Sequence, residues 1–243
     1  MAMKCLILAS GRGTRLSEIS SSKPLTPVLG TRLIERVIVT ALMSGLKEFY
    51  VVSGYNGNKV RHFLDRLARE LKVSIKHLVN EEWEKESGTA VLKASNVLAE
   101  NFVLLMADHL FDGVILEILL QETLRSCALV LAVDRRIKGN KFVDMADVTK
   151  VLVQNQKIVD IGKNIDRYNA FDTGIFLCSP DFFQAIGQCG DRSIPGGIMQ
   201  LAAEGRARTV DVGDRFWLDV DDPQALAKAE KHLSERPARP GQG

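Results

Sequence analysis

KCLILASGRGTRL, residues 4–16, sets an apolar run against a glycine-rich turn, and how that junction is read decides the fold. Cys5 to Ala9 has the length and composition of a buried strand. It stops where Gly11 and Gly13 let backbone come close to a ligand. A dinucleotide turn needs G-x-G-x-x-G and an acidic residue at the end of the second strand, but Leu16 occupies the third glycine position and the second strand ends at Ser53-Gly54. A Walker loop needs a lysine directly after its last glycine, where this chain has Thr14. What remains is a strand end with two glycines able to turn N–H groups toward an anion and two cations, Arg15 and Lys23, spaced to meet phosphate. An ordinary surface loop with solvated cations is the competing reading. The habit of parallel sheets to bind ligands at their switch points weighs against it.

Outward from this stretch, short β-rich runs alternate with longer amphipathic ones. Phe49 to Ser53, Ser74 to Val79, Phe102 to Met106 and Ala128 to Val133 read as strands, and Arg32 to Ser44, Lys59 to Leu71, Thr89 to Leu98 and Gly113 to Leu124 as helices. The alternation predicts an α/β fold, a Rossmann-like, mostly parallel sheet with helices on both faces. The texture changes near Met145. VTKVLVQNQKIVDIGK predicts a hairpin turning at Asn155-Gln156, and NAFDTGIFLC another strand, so the last hundred or so residues extend the sheet in mixed fashion. Ser179 to Ile186, Ile194 to Glu204 and Pro223 to Leu233 complete the predicted helices. Asp221 and Asp222 stand ready to cap the last of these.

Composition narrows the function. The 243 residues are 46% hydrophobic, enough for a sizeable core, and a net charge of +2 with cations spread along the chain speaks against a nucleic-acid groove. The four cysteines, Cys5, Cys127, Cys178 and Cys189, show no C-x-x-C pair and read as reduced packing residues of a cytoplasmic protein. No apolar run approaches the length that spans a bilayer, so no membrane insertion by this chain is expected.

LILASGRGTRL followed by Ser22-Lys23-Pro24-Leu25 resembles the signature of the sugar-phosphate nucleotidylyltransferase superfamily, which has a GT-A-like fold. Glu86-Ser87-Gly88-Thr89-Ala90, Met106-Ala107-Asp108, Phe171-Asp172-Thr173-Gly174 and Trp217-Leu218-Asp219-Val220 resemble its later elements in order. Ala107 replaces a glycine common in the superfamily. FVDMADVTKVLVQNQKIVDIGKNI, Ala107-Asp108-His109 and FWLDVDDP are most similar to the CTP:L-myo-inositol-1-phosphate cytidylyltransferase domain, which in many relatives precedes a membrane-embedded CDP-alcohol phosphotransferase. The resemblance implies one nucleotidylyltransferase domain over residues 1–235. RPARPGQG, residues 236–243, is then a disordered tail or a severed linker.

The implied reaction is attack by a phosphomonoester oxygen on the α-phosphorus of CTP, with Mg²⁺ neutralising charge and no protein nucleophile. Lys23 is expected at the α-phosphate and Arg15 at the departing pyrophosphate. Leu8, Ala9, Ser10, Gly11, Gly13, Thr14, Glu86, Gly88 and Thr89 are expected around the nucleotide. Asp108 and Asp219 each end an apolar run, where a strand delivers a carboxylate to its carboxyl edge, and are the expected metal ligands. Lys163 matches the lysine that grips the second substrate's phosphate, with Asp172, Thr173, Gly174 and His109 beside it. His62, His77 and His232 read as structural, and Asn80 to Glu86 as a solvated loop or lid. A sugar 1-phosphate or phosphocholine is the alternative second substrate. A nucleotide-sensing domain without turnover is the alternative class, and the joint presence of Arg15, Lys23, Asp108 and Asp219 weighs against it.

Overall fold

A computed structural model describes residues 3–235; the expected tail at 236–243 lies outside the described residues. In chain order the strands are β1 (Lys4–Ala9), β2 (Pro27–Val28), β3 (Thr31–Arg32), β4 (Glu48–Ser53), β5 (Ser74–Val79), β6 (Phe102–Met106), β7 (His109–Phe111), β8 (Leu129–Asp134), β9 (Lys150–Gln154), β10 (Lys157–Gly162), β11 (Ala170–Cys178), β12 (Ala207–Asp211) and β13 (Trp217–Asp219). The helices are α1 (Leu33–Met43), α2 (Gly57–Leu71), α3 (Ser87–Leu92), α4 (Gly113–Leu120), α5 (Asp181–Gln188), α6 (Ile194–Ala203) and α7 (Pro223–Ser234).

Among the described residues, nine strands join in one sheet in the order β5-β4-β1-β6-β11-β8-β12-β10-β9. β1 lies between β4 and β6 and is parallel to both. The chain therefore leaves β1 toward one edge, turns back through β4 and β5, and re-enters on the other side at β6. That reversal makes the carboxyl end of β1 a topological switch point, with the glycine loop directly on it. Past β6 the sheet becomes mixed: β11 runs antiparallel to β6 and β8, and β12 runs parallel to β8. The parallel reading thus describes the N-terminal arm, and the mixed extension expected after Met145 describes the other.

Both faces of the central strands are buried, so β1, β4, β6, β8 and β11 are apolar along most of their length, whereas β5, β9 and β10 toward the edges alternate more buried with more exposed residues. In β1, Leu6 and Leu8 join a core with α3, α5 and α6, while Cys5, Ile7 and Ala9 join a second core with α1, α2 and α4. A third, smaller core packs α7 against Leu110, Phe216 and Leu218, closing the molecule behind the ribbon of β7 and β13. Caps follow the local chemistry. Ser193 Oγ accepts from Gly196 N at 2.9 Å to start α6, and Asp222 Oδ1 accepts from Ala225 N at 2.7 Å to start α7. Asn155 and Gln156 both adopt positive φ, 50° and 62°, which turns β9 tightly into β10.

Two predicted helices end early, α3 at Leu92 and α4 at Leu120, where the chain breaks into turns. Strands β2, β3, β7 and β12 are additions to the expected set, while β13 ends at Asp219, as the apolar run before that residue predicts. All four cysteines are free thiols, and Cys5, Cys127 and Cys178 are buried. No helix among the described residues is long and apolar enough to cross a membrane.

Candidate active site

The loop after β1 is shaped around Lys23. Gly13 adopts φ +63°, and a Cβ there would overlap the Lys23 side chain at Cβ, Cγ and Cδ. Glycine is required twice over, for the left-handed backbone and for the space. Ser22, Lys23 and Pro24 are buried in a short turn, and Lys23 is 8% exposed. Gly13→Ala is expected to destabilise the fold by about 1–3 kcal/mol, the sum of left-handed strain and a displaced side chain. Urea unfolding checks this, and a variant as stable as the parent would show that the lysine does not pack on the loop.

The Lys23 ammonium lies among three carboxylates. It pairs with Asp108 and Asp221, and Asp219 Oδ1 is 3.7 Å away. Burial works to neutralise Lys23, but the charges of Asp108 and Asp219 override it and raise its pKa. Lys23 is therefore a fixed positive charge at the end of the sheet. Asp108 is correspondingly held well below the usual carboxylate range, Lys23 and His109 outweighing the effect of burial. His109 Nδ1 lies 2.9 Å from Asp108 Oδ1 and 3.8 Å from Asp219 Oδ1. Burial opposes its charge, yet the two carboxylates push the imidazole up to about 9, so it is an imidazolium at neutral pH.

Geometry between distant elements makes this cluster. Asp108 follows β6, and β13 pairs with β7 so that Asp219 stands opposite His109. Val220 N donates to the Asp108 carbonyl at 3.0 Å and closes the ribbon onto the strand end. Trp217 holds β13 from behind: its Nε1 donates to Asp134 Oδ2 at 2.8 Å, and Asp134 also takes Arg136 at 2.7 Å and Asn140 Nδ2 at 2.8 Å. One side-chain polar atom from each of Asp108, His109 and Asp219 lies within 4.8 Å of the other two, and the two carboxylates are the groups that can ligate a cation while His109 is protonated. Asp219 Oδ1 is buried without a hydrogen-bond partner, and a carboxylate oxygen in that condition fits a divalent cation.

Beside the cluster opens a cleft of about 390 Å³, lined among others by Arg15, Met106, Lys163, Asp172 and Trp217. Arg15 Nη2 reaches Asp147 Oδ2 at 2.5 Å and Asp221 Oδ2 at 2.6 Å. Lys163 pairs with the other oxygen of Asp147. Asp172 sits at an irregularity between β11 and β8, where its Oδ1 accepts from Gly174 N at 2.7 Å. Burial pushes its carboxyl up to about 6 in spite of that hydrogen bond. Gly174, φ +73°, makes room for the His109 ring, which a Cβ would meet at 2.7 Å.

Residues 5–189 match the MobA-like NTP transferase domain. The chain belongs to that family. It is 34% identical to the bifunctional IPC transferase and DIPP synthase of Rubrobacter xylanophilus over 93% of this chain and 50% of that protein, and 30% identical to the protein of the same name from Aquifex aeolicus over 96% and 52%. The chain thus spans about half the length of these relatives. Its fold matches that of the inositol-1-phosphate CTP transferase from T. maritima with a TM-score of 0.82, at 24% identity over 98% of this chain and 99% of the other.

The expected residues of this NTP transferase fall into two groups. Arg15, Lys23, Asp108, His109 and Asp219 come together, with Lys163, Asp172 and Gly174 around the adjoining cleft. Leu8, Ala9, Ser10, Gly11 and Thr14 form the strand end and loop beside them; Ala107 N donates to the Leu8 carbonyl and Tyr55 N to that of Ser10. Glu86 caps the turn into α3 through its carbonyl, which takes both N–H and hydroxyl of Thr89. Gly88 lies against the Arg192 carbonyl with no room for a side chain. Thr173 is fully buried and donates to the Ala132 carbonyl at 2.7 Å, so its hydroxyl faces the sheet and not the cleft. Asp222 caps α7 as expected, whereas Asp221 holds Lys23 and Arg15. His77 meets Asp65 at 2.9 Å and His232 stacks on Phe216. Asp134, Asp147 and Asp221 carry contacts that the sequence reading did not assign.

Proposed function

We propose that the chain condenses CTP with L-myo-inositol 1-phosphate to CDP-inositol and pyrophosphate, in a Mg²⁺-dependent reaction. The observation that carries this reading is the charged Lys23, held above the glycine loop among Asp108, Asp219 and Asp221 with a phosphomonoester-sized cleft beside it. The names of the relatives and of the T. maritima structure support CTP and inositol 1-phosphate as the pair.

The phosphomonoester oxygen attacks the α-phosphorus in line, the new P–O bond forms, and the bond to the β-phosphate breaks with its electron pair leaving on pyrophosphate. The attacking phosphate has a second pKa of about 6, so it arrives as a nucleophile and needs no protein base. The task of the protein is to bring two polyanions together and keep them aligned. Lys23 supplies a preorganised positive charge where negative charge accumulates on the α-phosphoryl oxygens. Arg15, on the rim, takes the departing pyrophosphate, and Lys163 takes the phosphate of the second substrate. Asp172 accepts from a hydroxyl of the polyol. Asp108 and Asp219 would hold Mg²⁺, whose charge, when bound, offsets that of the triphosphate. The reading places the enzyme in the cytoplasm, where its four free thiols stay reduced. The second half of the relatives' names supports a further unit, fused or separate, that uses the product as a CDP-alcohol phosphotransferase.

The test is pyrophosphate release from CTP, UTP, dTTP, ATP and GTP against inositol 1-phosphate, glucose 1-phosphate and phosphocholine. Release is expected with CTP and inositol 1-phosphate together, and to stop in excess EDTA. Turnover with a hexose 1-phosphate alone would reassign the second substrate, and no release with any pair would end the enzymatic reading.

A further inference from the structure

Asp147 touches both halves of the cleft. Its Oδ2 accepts from Arg15 Nη2 at 2.5 Å, and its Oδ1 pairs with Lys163 Nζ. Resting on the reading above, these two cations serve different substrates, the triphosphate and the phosphomonoester. A single carboxylate therefore lies where both substrates must place phosphate oxygens. We propose that Asp147 is a shared gate residue, displaced once for both substrates, which couples the binding of one to the binding of the other.

The physical argument starts from the segment that carries Asp147. Val143, Asp144, Met145, Val148 and Thr149 line the same cleft, between β8 and β9, so Asp147 belongs to one wall of it. The contacts holding its side chain are the two cations, and both keep its carboxyl below the ordinary range, Lys163 first. Arg15 and Lys163 are about half exposed, at 49% and 57%, so each pair can open at small cost. A phosphate arriving on Arg15 takes over its N–H donors and sets a like charge against Asp147. The repulsion drives the carboxylate away from Arg15, and because its other oxygen is the one paired with Lys163, the same displacement opens that pair as well. The second substrate then meets a cation already released. Whichever ligand binds first bears the displacement, and thermodynamic linkage makes the benefit mutual.

The other contacts of Arg15 and Lys23 do not give this coupling. Asp221 also joins two cations, but both belong to the nucleotide side of the site. Asp147 alone among the described residues pairs with a cation assigned to each substrate.

The experiment is calorimetric titration of the whole chain, with Mg²⁺ present, using a CTP analogue whose α,β-bridging oxygen is a methylene, inositol 1-phosphate, and inorganic pyrophosphate as a probe that reads neither base nor polyol. The parent is expected to bind each organic ligand about fivefold more tightly when the other is present, a factor in keeping with an ion pair of this exposure. Asp147→Asn keeps the shape of the side chain and removes its charge. It is expected to bind each ligand alone about fivefold more tightly, to bind pyrophosphate more tightly by a similar factor, and to show no coupling. Asp147→Ser should behave alike, and thermal unfolding of both confirms that they fold. Coupling that survives in Asp147→Asn, or a parent that binds both ligands without coupling, overturns the proposal. If the parent binds neither organic ligand, the substrate reading fails on its own. The pyrophosphate arm then decides the gate, and equal affinity of parent and Asp147→Asn for pyrophosphate refutes it.

Discussion

Replacing Lys23 with alanine is expected to lower turnover with CTP and inositol 1-phosphate on the order of 10²–10³-fold, the loss typical when one preorganised donor to a developing charge is removed. The size follows from the position of the residue. Lys23 is 8% exposed, its stem lies on Gly13, and its charge is sustained by Asp108 and Asp219 against the effect of burial. Water entering the space left by alanine can solvate a phosphoryl oxygen, but it has to reorganise to do so, and that reorganisation is what the fixed ammonium avoids. Lys23→Met separates charge from packing, because it refills the stem against Gly13 and should lose turnover to the same extent while unfolding closer to the parent. Removal of the ammonium also leaves Asp108, Asp219 and Asp221 facing one another without their common partner. Both variants should therefore gain more thermal stability from added Mg²⁺ than the parent does, a readout that needs no substrate. Turnover of Lys23→Met within tenfold of the parent would remove Lys23 from the transition state.

What could be read in the sequence was what short range encodes. Cys5 to Ala9 alternates its side chains between two buried faces, and the consecutive apolar residues this requires are visible without any neighbour. The turn at Asn155-Gln156 was legible because polar residues interrupt two alternating β-branched runs there and Asn tolerates the left-handed conformation of its first position, although Gln at the second is not a residue that conformation favours. The strand-end position of Asp108 followed from the apolar run before it. The site's contacts were not legible in that way, since they join residues far apart: Arg15 with Asp147 across 132 positions, Lys23 with Asp221 across 198. Asp221 looked like a helix cap because it adjoins Asp222 and Pro223, and only one of two adjacent aspartates can fill that place. Nor did Thr173 reveal its direction. It sits at the irregularity that sets Asp172 and Gly174 at the cleft, and a bulge changes which face a strand residue occupies without leaving a periodic trace. Strands β7 and β13, three residues each, are too short for any periodicity to register.

Those short strands depend on one buried carboxylate, and its loss should cost the fold heavily. Asp134→Ala is expected to destabilise the protein by about 3 kcal/mol, lowering Tm by roughly 6–12 °C for a domain of this size. Asp134 is fully buried at the end of β8 and accepts from Arg136, Asn140 and the Trp217 indole. Alanine leaves the buried indole N–H without an acceptor, which alone costs about 1–3 kcal/mol. Arg136 is 36% exposed and can turn to water, so its share is smaller than for a fully buried pair. Asp134→Asn, which keeps an acceptor for the indole but loses the charge, should fall between parent and alanine. The effect should reach the chemistry through β13: Trp217 anchors that strand, and Asp219 stands two residues on, opposite His109. A loosened ribbon lets Asp219 drift from Asp108, so the Mg²⁺ concentration needed for half-maximal turnover should rise in Asp134→Asn even at temperatures where the variant is fully folded. Stability within about 0.5 kcal/mol of the parent for the alanine variant, the range of an ordinary surface change, would show that β13 is held by the core of α7 and not by this carboxylate.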